Sequence, residues 1–385
     1  MAFALYGAMI EASSVRAWYA ARSRGSEFVP HRFRIQIMFS AHYCLRYFVT
    51  SLALIAVWQT RGDAQTSVST NPAQPNPGSV TGSVAPSVGS ASAWQRLDAL
   101  PPEVLTALPW IRPTEGRALL LNSASIAAHL DTAPRIDQYP VVRESPAVIE
   151  LPTPDGQFER FAFVEWPVME PELQARFPQI RTYLGQGLDD PGASVCFDLT
   201  PQGFHAQVLR PSSNGSTEHR VWYIDPLSRG DVTRYASYRR GALPAPEPWT
   251  CATPTEGAAT QSEAAPRGLG DTVFLKTYRA AVAASGEYTT FASPPGNPNV
   301  TAGLAAVVTT MNRVNQVYHI DLAINLILVA NNDQIIYTNP ATDPYSGDIP
   351  SMQCQNAQAL HNVIGDANFD IGHLCHQGDG GGNAG

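Results

Sequence analysis

Four side chains that can bind a metal ion lie close together near the C-terminus. His373, Cys375, His376 and Asp379 offer imidazole, thiolate and carboxylate groups, which are donors that Zn²⁺ prefers. The last three lie in or beside the glycine-rich stretch 378–382. Ordering four ligands on such a tail costs conformational entropy. We therefore expect a solvated tail here rather than a metal site.

Two short polar segments could also supply chemistry. Adjacent carboxylates at Asp189 and Asp190 could act in acid–base catalysis, and the oxygens of Asn331–Asp333 could bind Ca²⁺. The same residue types are typical of turns, particularly before a proline such as Pro191. We therefore expect turns at both places. The sequence contains no Gly-x-Ser-x-Gly nucleophile motif.

The overall charge excludes one class of partner. The 385 residues carry 25 basic and 33 acidic side chains, a formal net charge of −8. No basic patch interleaved with aromatic residues occurs along the sequence. An acidic chain of this kind has no attraction for phosphate backbones, so nucleic-acid binding is not expected.

The N-terminal region contains a targeting pattern. An apolar run from Tyr47 to Trp58 follows Arg46, and Gly62 and Ala64 provide small residues at a cleavage position. This pattern predicts a signal peptide and export to an extracellular or periplasmic location. Since no other apolar run is long enough to cross a bilayer, we expect no membrane span after signal removal.

Four cysteines follow the predicted signal peptide: Cys196, Cys251, Cys354 and Cys375. An even number of cysteines in an exported chain is compatible with one or two disulfides. Four cysteines permit three complete pairings, and the sequence leaves the choice among them open.

Changes in composition divide the chain into six segments. The boundaries are 1–37 for an upstream extension or misassigned start, 38–64 for the signal peptide, 65–94 for a flexible linker, 95–240 for a β-rich region, 241–268 for a second linker, and 269–385 for an α/β region.

Period-two patterns and turn residues predict strands in the β-rich region. Segments 147–151 and 158–164 flank Pro154-Asp155-Gly156, which predicts a β-hairpin. Further strands are predicted at 193–199, 204–209 and 220–224. Helical spacing in the second half of 117–130 predicts a helix, with Ser123 or Ser125 as its cap.

The pattern changes after the second linker. A strand is predicted at 273–279, an amphipathic helix at 301–318, a strand covered on both faces at 322–330, a helix at 352–364 ended by Gly365, and a strand at 369–374. Alternation of strand and helix predicts crossover connections onto one sheet.

Three blocks carry a resemblance to a known family. Thr277–Phe291, Val307–Asn339 and Gln355–Leu374 together resemble the N-terminal half of a bacterial reprolysin-like zinc metallopeptidase domain of the metzincin class. Upstream, Phe177–Leu209 and Val221–Arg240 resemble the proregion that precedes this domain. The resemblance implies a multidomain α+β fold, with a β-rich proregion followed by part of an α/β catalytic domain that has a mixed sheet and two helices.

The resemblance also implies the chemistry of metal-assisted peptide hydrolysis. In this family Zn²⁺ is held by a His-Glu-x-x-His-x-x-Gly-x-x-His helix, and the substrates are proteins or peptides. The sequence has no His-Glu dipeptide and no two histidines four residues apart. We therefore expect a precursor truncated before the zinc helix, with no catalytic residue, no bound cofactor and no peptidase activity of its own.

Cys251 is the one residue for which the resemblance implies a metal-binding role. Latent relatives can be silenced when a proregion thiolate occupies the open position on zinc, and Cys251 lies just before the predicted catalytic region. A disulfide with Cys196 or an idle thiol is the alternative. The alternative for the whole chain is a non-catalytic binding or inhibitory module derived from a peptidase proregion.

Overall fold

The computed structural model describes residues 93–100, 102–210, 221–243 and 274–378. These residues form two β-sheets and six α-helices, an α+β fold. The predicted signal peptide, the first linker up to residue 92, the second linker from residue 244 and Cys251 lie outside the described ranges. Within those ranges, no helix is both long enough and apolar enough to cross a membrane.

Residues 93–243, called the sheet part below, contain a nine-stranded antiparallel sheet. Its strands are β1 (Trp94–Arg96), β2 (Arg117–Leu121), β3 (Val148–Pro152), β4 (Phe158–Glu165), β5 (Arg181–Gly187), β6 (Ser194–Thr200), β7 (Gly203–Leu209), β8 (Val221–Pro226) and β9 (Arg234–Arg239). Their spatial order is β1-β2-β9-β8-β7-β6-β5-β4-β3. Most neighbouring strands are also consecutive in sequence, and the exception is the pair of β2 and β9.

The predicted hairpin is confirmed as the antiparallel pair β3 and β4. Gly156 has a φ of +85°, a value that favours glycine at the turn. The predicted strands at 193–199, 204–209 and 220–224 correspond to β6, β7 and β8. Strand β5 was not predicted, because two glycines interrupt its apolar pattern. Gly185 is needed there, since a Cβ atom would lie 2.7 Å from Val195 Cγ1.

One face of this sheet encloses its own hydrophobic core. Alternate residues of every strand contribute to it, and its aromatic members include Trp94, Phe163, Tyr183, Phe197, Phe204 and Tyr235. The end strand β3 also approaches the strands near the opposite end of the sheet, because Ser237 Oγ on β9 donates a hydrogen bond to Pro152 O on β3 at 2.7 Å. The sheet therefore wraps around this core.

Residues 274–378, called the C-terminal part below, contain a three-stranded sheet. Its strands are β10 (Lys276–Ala284), β11 (Ile324–Leu328) and β12 (Ile371–Cys375), in the order β11-β10-β12. Both pairings are parallel, as strand–helix–strand alternation predicts. An antiparallel strand, which a mixed sheet requires, is not among the strands of this sheet that the structure describes.

Six helices accompany the sheets. They are α1 (Pro102–Thr106), α2 (Ser123–Leu130), α3 (Pro171–Arg176), α4 (Gly286–Ala292), α5 (Val300–Asp321) and α6 (Ile349–Val363). Helices α5 and α6 match the predicted helices at 301–318 and 352–364. Residue Gly365 follows α6 with a φ of +80°, and its amide donates to Leu360 O at 2.9 Å, which confirms it as the helix stop.

Three predictions of element boundaries need correction. The cap of α2 is neither Ser123 nor Ser125 but Asn122, whose Oδ1 accepts the amide of Ser125 at 3.0 Å. Strand β10 extends to Ala284, beyond the predicted end at residue 279, because its small side chains fit between two helix layers. Strand β11 spans Ile324–Leu328, so it is shorter at both ends than the predicted strand at 322–330.

The alternation of β10 separates the two layers of the C-terminal part. Val282 and Ala284 belong to a core that includes α5, whereas Ala281 and Ala283 face a smaller core that includes Met352 of α6. The larger of these cores also contains residues of the sheet part, among them Trp110, Met169 and Tyr238. This larger cluster is called the shared core below.

Candidate functional site

Helix α5 lies against the outer face of the nine-stranded sheet. On this face, strands β6 to β8 present Asp198, His205, Gln207 and Asp225, and all four are at least nine-tenths buried. The intervening residues, such as Phe204, point into the core of the sheet. A polar face of a β-strand normally contacts water, so a polar face buried under a helix indicates a specific contact surface.

The centre of this surface is a buried ion pair. Arg313 Nη2 on α5 lies 2.6 Å from Asp225 Oδ1 on β8, and Asp225 itself is fully buried. The second carboxylate oxygen accepts the Tyr238 hydroxyl at 2.7 Å. Although burial by itself lowers the pKa of Arg313, the charge of Asp225 raises it above the ordinary value. Burial, followed by the charge of Asp225, raises the pKa of Tyr238.

A second carboxylate connects the sheet to α5 one turn earlier on the helix. Asp198 Oδ1 lies 2.9 Å from His205 Nδ1 and accepts the Thr309 hydroxyl at 2.9 Å. His205 Nε2 is buried and has no hydrogen-bond partner among the described residues. An oriented aspartate–histidine pair can serve catalysis or hold a metal, but among the described residues no third His, Cys, Asp or Glu side chain completes a metal-binding group with it.

Side-chain amides complete the surface. Asn312 Nδ2 donates to Phe197 O at 2.9 Å, and Gln207 Nε2 donates to Gln316 Oε1 at 2.9 Å. The Gln316 amide in turn donates to Ser194 Oγ at 3.0 Å. The polar network therefore extends over about two turns of α5. Such a network can orient one surface on another, and it places no reactive group beside an open cleft.

The sequence contained a signal for this surface that the apolar pattern of α5 concealed. Thr309, Asn312, Arg313 and Gln316 occur at i, i+3, i+4 and i+7, which is the spacing of one helix face. The apolar spacing predicted one buried face of the helix, and the polar stripe was not predicted to be a second one. Both faces of α5 are covered, the apolar one by the three-stranded sheet and the polar one by the nine-stranded sheet.

A separate contact joins the sheet part to strand β11. The backbone of Leu328 donates to Val168 O at 2.8 Å and accepts from the Glu170 amide at 2.9 Å, so residues 168–170 lie beside β11 like a short parallel strand. Glu170 Oε2 also accepts the Ala330 amide at 2.7 Å, and Arg176 Nη2 pairs with Asp333 Oδ1 at 2.7 Å. This segment covers the edge of β11 that the small sheet leaves open.

The carboxyl ends of the parallel strands bring together a serine, a histidine and a glutamate. Ser285 Oγ lies 2.9 Å from His376 Nδ1, and Glu287 Oε2 lies 3.6 Å from the same nitrogen. In a catalytic triad the nucleophile and the carboxylate contact opposite ring nitrogens. Ser285 is also fully buried, and its hydroxyl accepts the Tyr288 amide as the cap of α4. These contacts therefore hold the start of helix α4 in place and do not form a catalytic triad.

The C-terminal metal candidates are only partly brought together. His373 and Cys375 lie on β12, His376 follows the strand, and Asp379 lies outside the described residues. Cys375 belongs to the shared core, and burial raises the pKa of its thiol to about 12, so it is a poor source of thiolate. Among described residues, no group of three or more His, Cys, Asp and Glu side chains could hold a metal ion.

The remaining cysteines are placed as follows. Cys251, the predicted cysteine-switch ligand, lies outside the described ranges, so its role stays a prediction. Cys196, its alternative disulfide partner, is a free thiol on β6 and is 2% exposed. Burial raises the pKa of Cys196. Cys354 lies exposed on α6.

The two polar segments predicted as turns are confirmed. Asp189 pairs with Arg160 at 2.6 Å, and Asp190 Oδ1 accepts the amide two residues later at 3.0 Å. Asn332 is fully buried, and its side chain both accepts from and donates to the backbone of Val282, at 2.8 and 2.9 Å. It fixes the loop after β11 to β10, and it has no free oxygen for a cation.

Comparison with known proteins adds one finding. Residues 274–385 match the family model of the reprolysin-like metallopeptidases of family M12B, a match that covers less than a third of the chain. A search among curated proteins found no match. The matched residues include the whole C-terminal part, with the parallel sheet, α5 and α6. The C-terminal part of this chain is therefore similar to the reprolysin-like metallopeptidases.

Proposed function

We propose that this chain is an exported metallopeptidase precursor. In this proposal, the C-terminal part is the strand-and-helix framework of a reprolysin-like catalytic domain, and the β-rich region 95–240 is its proregion. The observation that carries the proposal is the family match of residues 274–385. The burial of α5 by the sheet supports a proregion role, because a proregion must contact its catalytic domain.

The residues present do not fit the zinc ion of this family. The sequence lacks the histidine motif that holds it, and the described residues contain no cluster able to bind a metal. No catalytic step is therefore assigned to any residue of this chain. We propose protein or peptide substrates because these are the substrates that the similar peptidase family implies.

The purified chain should lack peptidase activity. We expect it, when supplied with zinc, to show no cleavage of a casein-type substrate above background, since its sequence lacks the histidine motif that holds the zinc and its bound water in this family. The measurement is release of labelled peptides with and without a chelator, with an active zinc endopeptidase as positive control. Chelator-sensitive cleavage by the purified chain would contradict the inactivity. Sequencing the coding DNA beyond the Gly385 codon tests the lineage itself, through the presence of the zinc-binding motif.

A second candidate function is that of a binding or inhibitory module. The observation that favours it is the buried polar face of β6 to β8, which contacts a matching stripe on a helix. Adding the chain to an active reprolysin-like peptidase distinguishes the two functions. Saturable inhibition with defined stoichiometry would support the module, whereas unchanged activity would leave the precursor function as the better account.

A further inference from the structure

We propose that the nine-stranded sheet is a permanent subunit of this molecule rather than a detachable propeptide. Cleavage between residues 244 and 273 should leave a tight, non-covalent complex of the sheet part and the C-terminal part. The inference rests on the proposed function only in regarding this connection as the place of processing. A proregion that dissociates after cleavage needs an interface that can separate into two soluble surfaces, and three observations contradict that arrangement.

The first observation is the shared core. Trp110, Met169 and Tyr238 of the sheet part belong to the same buried cluster as Leu304 and Met311 of α5. All five side chains are at least nine-tenths buried. Interfaces that resemble a domain core cut in half are typical of obligate complexes, whereas interfaces that separate are less apolar. Dissociation would expose this apolar surface to water on both parts.

The second observation is the polarity of the sheet face over α5. The carboxylates of Asp198 and Asp225 use their partners on the helix, Thr309 and Arg313, as hydrogen-bond donors. These contacts require one register of the helix on the sheet, because a shift by one turn would place other side chains beside the carboxylates. The shared core supplies the attraction, and the polar network fixes the orientation.

The third observation is the strand-like contact of residues 168–170 with β11. Met169 is 2% exposed in the shared core, while the flanking backbone makes two hydrogen bonds to Leu328. Loss of the sheet part would therefore leave an open parallel-sheet edge on the C-terminal part. Open edges of this kind favour aggregation, so the isolated C-terminal part would be poorly soluble.

The test uses the full chain with a site-specific protease sequence inserted between residues 244 and 273. After complete cleavage under native conditions, size-exclusion chromatography with light scattering measures the mass of the product. We expect both fragments to elute together with the mass of the uncut chain, also at high salt, because apolar contacts dominate the interface. Elution as two separate species, or precipitation of either fragment, would overturn the proposal. The assay involves no peptidase activity, so a wrong family assignment would not alter its result.

Two substitutions give the test its specificity. In the cleaved complex, Met169→Asp should abolish co-elution, because it places a charge in the shared core. Thr309→Val is a milder change that should weaken the complex by roughly 10-fold, since it removes one hydrogen bond to a buried carboxylate. Thr132→Val, at an exposed position of the sheet part, is the matched control and should leave the affinity unchanged. Equal affinity for Thr309→Val and Thr132→Val would contradict the role of the polar network.

Discussion

At the scale of single residues, Asp225 and Arg313 form a buried ion pair between the nine-stranded sheet and α5. Asp225 and Arg313 are 0% and 6% exposed and lie on different sheet and helix layers. The desolvation of such a pair offsets most of its attraction, so a pair of this kind contributes more to orientation than to net stability. Removal of a single partner destabilises the folded state strongly, because the remaining charge stays buried without an opposite charge.

The pair yields a prediction about stability. Asp225→Ala should lower the free energy of unfolding by about 3–5 kcal/mol, since the guanidinium of Arg313 loses its carboxylate. The double variant Asp225→Leu with Arg313→Met should recover much of this loss. Urea denaturation followed by circular dichroism measures both. Asp189→Ala is the control, because its ion pair with Arg160 is largely solvent-exposed and should cost at most about 1 kcal/mol. Equal losses for Asp225→Ala and Asp189→Ala would refute the importance of burial.

A histidine near the end of α5 yields a prediction about pH. His319 Nε2 donates to Asn325 Oδ1 at 2.9 Å, its ring packs 4.8 Å from Trp166, and its Nδ1 is buried with no partner among described residues. Burial lowers the pKa of His319 from its ordinary value of 6.5. Below that pH the unfolded chain therefore binds a proton that the folded chain does not, and stability falls as the pH falls.

We expect the melting temperature to drop between about pH 7.5 and about pH 5.5, and the drop to be smaller in His319→Gln. His361→Gln is the control, since its side chain is 61% exposed. Thermal melts across this pH range provide the measurement. An identical pH dependence in the wild type and in His319→Gln would show that His319 does not contribute.

At the scale of secondary-structure elements, helix α5 connects the two parts of the molecule, because two of its faces are buried. Its apolar stripe packs on β10, and its polar stripe packs on the nine-stranded sheet. A third close contact lies near its N-terminus, at Gly303. A Cβ atom there would lie 2.6 Å from Ile336 Cγ2 and 2.8 Å from Thr289 Oγ1. The helix can approach α4 and the loop after β11 only because this position has no side chain.

Gly303→Ala should therefore destabilise the protein, although alanine is the better helix former. Helix propensity favours alanine by about 1 kcal/mol, and overpacking costs about 1–3 kcal/mol, so we expect a net loss of about 1 kcal/mol. The measurement is again the free energy of unfolding in urea. Gly241→Ala is the matched control, because a Cβ atom there meets nothing within 4 Å. A gain in stability for Gly303→Ala would show that the neighbouring side chains move aside.

At the scale of the whole molecule, the boundary between sheet part and C-terminal part is a boundary in sequence but not in packing. The two parts differ in topology, one antiparallel and one parallel. They nevertheless share one hydrophobic core, and the segment 168–170 extends the smaller sheet. The co-elution expected after cleavage of the connecting segment follows from this shared core, because neither part covers its own apolar surface.

Much of the fold could be predicted from the sequence, because local patterns specify local structure. The Pro-Asp-Gly turn predicted the β3–β4 hairpin, and the apolar spacing of Leu304, Val307 and Val308 predicted α5. Strand β5 was missed, since glycines at positions chosen for close packing remove the period-two signal. The cap at Asn122 was assigned to neighbouring serines, because several residue types serve equally well in that role.

The candidate site could not be predicted in the same way. The alternation of Phe204, His205, Ala206 and Gln207 predicts a strand with one solvent-exposed polar face. Only the packing of α5 on the sheet buries that face. The sequence by itself determined many of the elements, the likeness of residues 274–385 to a metallopeptidase family and the lack of its histidine motif. The tertiary structure alone decided which polar residues meet, because contacts such as Asp225 with Arg313 join positions 88 residues apart. No local pattern records a pairing at that separation, since it depends on how two sheets and one helix stack.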